Sequence, residues 1–86
     1  GPDSHSIAFG AELRKEKLFF HLILNGFWGP LEFELPQPAG GVPWRRWIDT
    51  ALPPPDDIVE WTAAPPVPDS TYRAGARSVV MLFTGG

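Results

Sequence analysis

The chain has 86 residues and a mass of 9.5 kDa, enough for one small domain. Hydrophobic residues make up 43% and charged residues 20%, a globular balance, while eleven prolines and nine glycines exclude a helix bundle and favour short strands joined by turns. Seven basic residues against ten acidic ones, a net charge of −3, argue against nucleic acid as a partner, because binding phosphate needs a basic footprint.

Cysteine is absent, so disulfide staples and thiolate chemistry are excluded and a reducing, cytoplasmic compartment is favoured. The longest apolar runs, 22–24 and 79–83, fall far short of the roughly 20 residues of a membrane span. No basic segment followed by an apolar one opens the chain, so neither a signal peptide nor a membrane partner is expected. The lack of a starting Met fits a piece of a longer chain; Gly1-Pro2, native or vector-derived, carries no weight.

Residues 6–10 alternate through Ile7 and Phe9 and predict a first strand, followed by a polar, charged connector over 11–16. Residues 17–25 predict a central strand covered on both sides: Leu18, Phe20, Leu22 and Leu24 share one face, Phe19, His21 and Ile23 the other. Asn25-Gly26 signals a hairpin turn. Residues 31–35 alternate cleanly, with Leu31, Phe33 and Leu35 toward a core and Glu32 and Glu34 toward water. A Pro/Gly loop over 37–43 leads to a strand over 44–50, where Trp44, Arg46 and Ile48 fall on one side and Arg45, Trp47 and Asp49 on the other. Neither side is purely apolar, which fits an edge strand or a bulge.

Residues 51–69 form a long proline-rich excursion, with one capped helical turn expected at 57–60. It reads either as a ligand for a proline-recognising module or as a loop pinned to the sheet by Ile58, Val59 and Trp61. Residues 71–74 and 77–83 predict a closing hairpin around Gly75, with the last strand inside a sheet. The sum is an all-β fold: a small antiparallel β-sandwich with Greek-key connections, about six to seven strands and one long Pro-rich loop. The expected core is Phe9, Leu18, Phe20, Leu22, Leu31, Phe33, Leu35, Val79 and Met81, with Trp44 beside it.

Candidate chemistry is sparse. The two histidines, His5 and His21, lie on separate strands, and a zinc site would need both plus carboxylates. Ser78, His21 and Asp49 supply the residue types of a triad, without a nucleophile elbow around the serine. Asp56-Asp57 is a carboxylate pair whose adjacent side chains point apart, unlike a pair flanking a glycosidic bond. No phosphate-binding glycine loop occurs. No catalytic residue, metal site or cofactor is expected. Four tryptophans remain. Aromatic rings either close a small core or stack on sugar rings; Phe27 and Trp28, at a loop tip, are the candidates for sugar or docking contact. Rings that a six-strand core cannot all hold, namely Phe19, Trp28, Trp47 and Trp61, are candidates for a docking face. Asp49 and Arg77 are a candidate polar pin, since a buried carboxylate needs a cation or N–H donors, here Arg46, Arg77 or the turn over 50–52.

Four segments in order carry a family resemblance. They are Pro2-Asp3-Ser4-His5-Ser6-Ile7-Ala8-Phe9, Leu24-Asn25-Gly26-Phe27-Trp28-Gly29-Pro30-Leu31-Glu32-Phe33-Glu34-Leu35-Pro36, Trp44-Arg45-Arg46-Trp47-Ile48-Asp49-Thr50-Ala51-Leu52 and Tyr72-Arg73-Ala74-Gly75-Ala76-Arg77-Ser78-Val79-Val80-Met81-Leu82. Together they cover nearly the whole chain, which resembles the C-terminal domain of bacterial isoamylase-type glycogen debranching enzymes of the α-amylase superfamily. The resemblance implies an all-β domain following a catalytic (β/α)-barrel that hydrolyses α-1,6 branch linkages. The barrel's carboxylates are not in this chain, so no catalytic residue carries over. It further implies that residues 1–86 are a single C-terminal domain whose partner is the barrel of the same chain, and α-glucan in some cases. The proline loop matches no motif of the family. Two other readings stand beside this one: an autonomous carbohydrate-binding module using Trp28 and a companion ring, and a protein-interaction module using the loop over 53–68.

Overall fold

The computed structural model describes residues 6–13, 15, 17–37, 42–67 and 69–85. His5 and the opening of the first motif, Arg14 and Glu16 of the charged connector, residues 38–41 of the Pro/Gly loop and Pro68 lie outside the described residues.

Among the described residues seven antiparallel strands form two sheets. The strands are β1 (Ser6–Leu13), β2 (Leu18–Asn25), β3 (Leu31–Glu34), β4 (Trp44–Asp49), β5 (Pro66–Val67), β6 (Thr71–Ala74) and β7 (Ser78–Gly85). The larger sheet has the order β1-β2-β7-β4-β5, and the smaller pairs β3 with β6. Strands β2 and β7 lie inside the large sheet, as their two-sided apolar sequences predict. The first strand runs three residues beyond its expected end and forms the sheet's edge. Among the described residues no helix is long and apolar enough to cross a membrane.

The core lies between the sheets and contains Ile23, Leu35, Trp44, Ala74, Val80 and Leu82, with Phe19, Phe33, Val67 and Tyr72 packed against it. Leu35, Phe33 and Trp44 are where the sequence places them. The expected faces of the two central strands are exchanged. Ile23, Val80 and Leu82 are fully buried, whereas Phe9 is 47% and Val79 38% exposed, and Leu18, Phe20, Leu22 and Met81 lie on the outward side. The physical reason is polar. His21, Asn25, Ser78 and Thr84 share the parity of Ile23, Val80 and Leu82, and they are buried with it. Ser78 donates to the Gly75 carbonyl at 2.6 Å and Thr84 to the Val42 carbonyl at 2.9 Å. Hydrogen bonding of Asn25, Ser78 and Thr84 inside the sandwich therefore decides between two equally apolar faces.

The fourth strand also differs from its expected alternation. Its pairing with β7 slips between Arg46 and Ile48, leaving Trp47 as the bulged residue. The bulge resets parity, so Trp44, Arg46 and Asp49 share the inward side while Ile48 faces out beside Met81. The strand is not an edge, since the two-residue β5 pairs with Trp44 and Arg45.

Two turns expected to close hairpins instead carry the chain from one sheet to the other. β2 and β3 lie in different sheets, as do β6 and β7. Gly75 is required at the turn after β6, because a Cβ there would stand 2.6 Å from that of Ala51. Arg77, two residues on, adopts a left-handed φ of 52° to complete the turn.

The long loop is pinned rather than free. Asp49 N–H donates to the Asp57 carbonyl, Val59 N–H to Trp47 and Arg46 N–H to Pro65. Ile48 and Ile58 form an isolated bridge. Its helical turn is a 3₁₀ turn at Trp61–Ala63, not at 57–60; the intervening residues pair with β4 instead.

The exchanged faces have a direct test. Ile23→Ala should lower the unfolding free energy by roughly 2–5 kcal/mol through lost burial and a cavity. Phe9→Ser, on the outward side, should cost far less. Denaturant unfolding of the two variants measures both, and a larger loss at Phe9 would reverse the assignment of faces.

Candidate functional site

Three places on this frame gather functional side chains: the end of the sandwich around Asn25, the buried carboxylate of Asp49, and the outward face of the large sheet. At the first, Asn25 is 1% exposed, and its amide meets five groups. Nδ2 donates to the carbonyls of Gly29, Ala74 and Gly75 at 3.2, 3.2 and 3.0 Å. Oδ1 accepts from Ser6 Oγ and from the Phe27 N–H, both at 3.0 Å. Two donors and one acceptor oxygen are thus fully engaged, with one N–H shared between carbonyls. Asn25 joins β1, β2 and the turns after β2 and β6.

This anchor fixes the loop bearing Phe27 and Trp28. Phe27 is half-buried, while Trp28 is 78% exposed. The Phe27 carbonyl accepts the Arg77 N–H at 3.1 Å, and the Arg77 guanidinium lies 4.9 Å from the centre of the Trp28 ring. This stacking holds the exposed ring in place by a cation–π contact worth about 0.5–1 kcal/mol at such a site. Arg77 and Trp28 thus meet, although the sequence assigned them to different tasks. The tip presents one exposed ring, with its neighbour half-buried, not a flat aromatic strip.

Asp49 is 3% exposed. One carboxylate oxygen accepts the Ala51 N–H at 3.0 Å, and the other accepts a short hydrogen bond from the Tyr72 hydroxyl. Burial and the Asp49 carboxylate push the Tyr72 hydroxyl's pKa well above its ordinary value. The pair links β4 of the large sheet to β6 of the small one. Of the partners expected for Asp49, the structure shows the turn after it and adds Tyr72, while Arg77 sits at Trp28. Tyr72 was missed because a hydroxyl 23 positions away leaves no local signal.

Ser78, His21 and Asp49 do not form a triad: Ser78 donates to a backbone carbonyl and Asp49 is held by Tyr72. His21 is 7% exposed, its two ring nitrogens have no hydrogen-bond partner among the described residues, and its ring lies 5.8 Å from that of Trp44. It borders an open cleft of about 390 Å³ shared with Glu12, Phe19, Pro36, Gln37 and Trp44. Burial lowers its pKa below the ordinary 6.5. Among the described residues no cluster of three or more His, Asp or Glu could hold a metal ion.

The outward face of the large sheet is apolar along its length. Paired rows run Ile7–Leu24–Val79 and Phe9–Leu22–Met81. Toward β4 the rings of Phe20, Trp47, Trp61 and Phe83 gather, with Trp61 and Phe83 centred 4.1 Å apart. Two expected docking rings, Trp47 and Trp61, therefore cover the sheet they border. Phe19 faces inward and packs on the core, because its position alternates with the outward Leu18 and Phe20. Sequence reasoning missed the uncovered part of this face, since it took Phe9, Leu22 and Met81 for core.

A family model described as isoamylase, C-terminal, matches residues 2–83. Neither the curated proteins nor the solved structures returned a match.

Two measurements probe these sites. Asn25→Ala strands buried carbonyls and the Phe27 N–H, each costing about 1–3 kcal/mol when unpaired, so unfolding in denaturant should show a loss on the order of 3 kcal/mol. The second is pH. His21 binds its proton more weakly folded than unfolded, so the unfolded state holds more protons once pH falls to the ordinary 6.5 and below. Stability should drop on acidification through that value, and His21→Phe should flatten the profile between pH 7 and 5.5. An unchanged slope in the variant would assign the acid sensitivity to other groups.

Proposed function

The chain belongs to the isoamylase C-terminal domain family, and from that premise we propose that it is the C-terminal domain of a glycogen debranching enzyme. In this reading the parent hydrolyses α-1,6 branch linkages in the cytoplasm. The domain itself carries no catalysis and supports the catalytic barrel of the same chain. The observation that carries the supporting role is the apolar outward face of the large sheet. A sheet face that includes Ile7 at 54%, Phe9 at 47% and Val79 at 38% exposure is costly to leave in water. A non-catalytic role is supported by the carboxylates. Asp49 is spent on the sandwich, while Glu32 and Glu34 face out along β3. Asp56 and Asp57 lie in the turn of the long loop, whose backbone pairs with β4.

Glucan contact at Trp28 and Phe27 is a second reading, favoured by the 78% exposure of a ring already steadied by Arg77. In that reading one face of the indole stacks on a glucose unit.

The isolated chain should release no reducing ends from pullulan, amylopectin or glycogen, while the full-length parent should release them from glycogen. Release by the isolated chain above a buffer blank, lost on Asp56→Ala or Asp57→Ala, would refute the non-catalytic reading. Titration with maltoheptaose, followed by amide shifts, separates support from sugar binding: shifts confined to 26–29 would favour glucan contact.

A further inference from the structure

On the inward side of the large sheet, cross-strand rows follow one another away from Asn25: Ala8–Ile23–Val80, then Gly10–His21–Leu82, then Glu12–Phe19–Thr84. Over the last two rows lies the cleft of about 390 Å³, walled on its far side by Pro36, Gln37 and Trp44. Trp44 Nε1 donates to the Pro36 carbonyl at 2.9 Å, which fixes that wall against β4. Gly10 stands directly across from His21, and a Cβ there would meet only the Phe20 carbonyl, at 3.4 Å, so the floor beside the imidazole is open among the described residues. His21 is buried at this floor with both ring nitrogens unpaired among the described residues. A buried polar group without a partner costs stability that an entering donor or acceptor restores.

We propose that this cleft is a binding site for a neutral hydroxylated ring of pyranose size, with its hydroxyls on His21 and Gln37 and its apolar face against Phe19 and Pro36. Charge selects the class. Burial keeps the imidazole uncharged at neutral pH, and among the described lining residues the charged one is Glu12, so no cation is there to hold an anion. A cationic ligand would meet only that solvent-exposed carboxylate, which holds little. A neutral imidazole offers one N–H donor and one acceptor nitrogen, and the Gln37 amide offers both as well; a hydroxyl is the group that answers each. The apolar walls suit the C–H face of a sugar ring. The volume lies at the low end of the roughly 300–1,000 Å³ usual for small-molecule sites, which suits a short saccharide. Both nitrogens are shielded from solvent in this conformation, so binding includes a turn of the imidazole toward the ligand. The cleft is distinct from the Trp28 tip, which follows the opposite end of β2. The inference rests on the proposed function only for the choice of an α-glucoside as probe.

The test titrates the isotope-labelled chain with maltose and, separately, with gluconate. Maltose should shift the amides of Gly10, His21 and Gln37 and the His21 ring signals along one saturable curve, and gluconate should leave them unmoved. His21→Phe keeps a ring and removes only unpaired nitrogens, so it should fold and bind maltose about tenfold more weakly. Gln37→Ala, at an exposed position, should weaken binding without disturbing the fold, and Gly10→Val should fill the floor and abolish the shifts. Absence of a saturable maltose shift at these positions, an equal response to gluconate, or unchanged affinity in both His21→Phe and Gln37→Ala would each overturn the proposal. Shifts confined to 26–29 would overturn it and leave the sugar contact at Trp28 standing. Saturation at the cleft, with a full-length parent inactive on glycogen, would support the site and remove the debranching reading.

Discussion

The side-chain amide of Asn25 is the constraint on which the sandwich depends. Two sheets of five and two strands cannot be held by ladder hydrogen bonds alone, because those run within each sheet. The chain has to leave one sheet and enter the other at the turns after β2 and β6, and both turns expose carbonyls at one buried place. Asn25 satisfies Gly29 from the first turn and Ala74 and Gly75 from the second. An amide suits the position because it donates and accepts at once. Aspartate offers only acceptors, and leucine would leave the carbonyls without partners inside the protein. The same group orders the Phe27–Trp28 tip, so one buried side chain sets both the topology and the presentation of the exposed ring.

Asp49 and Tyr72 do at mid-sandwich what Asn25 does at its end. A buried carboxylate is unfavourable unless its oxygens are engaged, and here a backbone N–H and a phenol supply both partners. The pair ties β4 to β6 across the core. It also explains why the bulge at Trp47 matters. Without the extra residue, Asp49 would fall on the outward side beside apolar rings and its contact with Tyr72 would be lost.

Much of the architecture was legible in the sequence, and the losses share one cause. The strands around 18–25, 31–34 and 78–85 follow from runs and alternation of apolar residues, and the all-β class from proline and glycine content. Alternation says which residues share a face; it does not say which face is inside when both are apolar. Leu18, Phe20 and Leu22 are as hydrophobic as Phe19 and Ile23, and the choice falls to buried polar groups such as Asn25 and Thr84, whose partners Ala74 and Val42 are distant in sequence. The hairpin signals at Asn25-Gly26 and Gly75 were sound as turn signals. What they cannot encode is whether the next strand returns to the same sheet. Of the candidate site, Phe27, Trp28, Asp49 and Arg77 were legible as residues out of place in a simple strand pattern. The Arg77–Trp28 contact and the Tyr72 partner required the fold.

The exchange of faces also accounts for the distribution of apolar surface. In a free-standing sandwich the most hydrophobic side of each strand turns inward and the polar side meets water. Here the inward side of β2 and β7 carries an amide, an imidazole and two hydroxyls, while the outward side carries leucine, valine, methionine and phenylalanine almost without interruption. The large sheet is therefore apolar on both of its sides. Part of its far side is closed by the chain itself: Trp61 on its 3₁₀ turn covers Phe83, and Ile58 bridges to β4. That closure uses up the long loop, which accounts for a nineteen-residue excursion in a domain of this size without invoking a proline-recognising partner. The loop returns to β5 before it reaches β1, and among the described residues nothing covers the remaining rows from Ile7 to Val79. A layer that buries hydrogen-bonded polar groups on one side and offers unbroken apolar rows on the other gains stability only when both sides are covered.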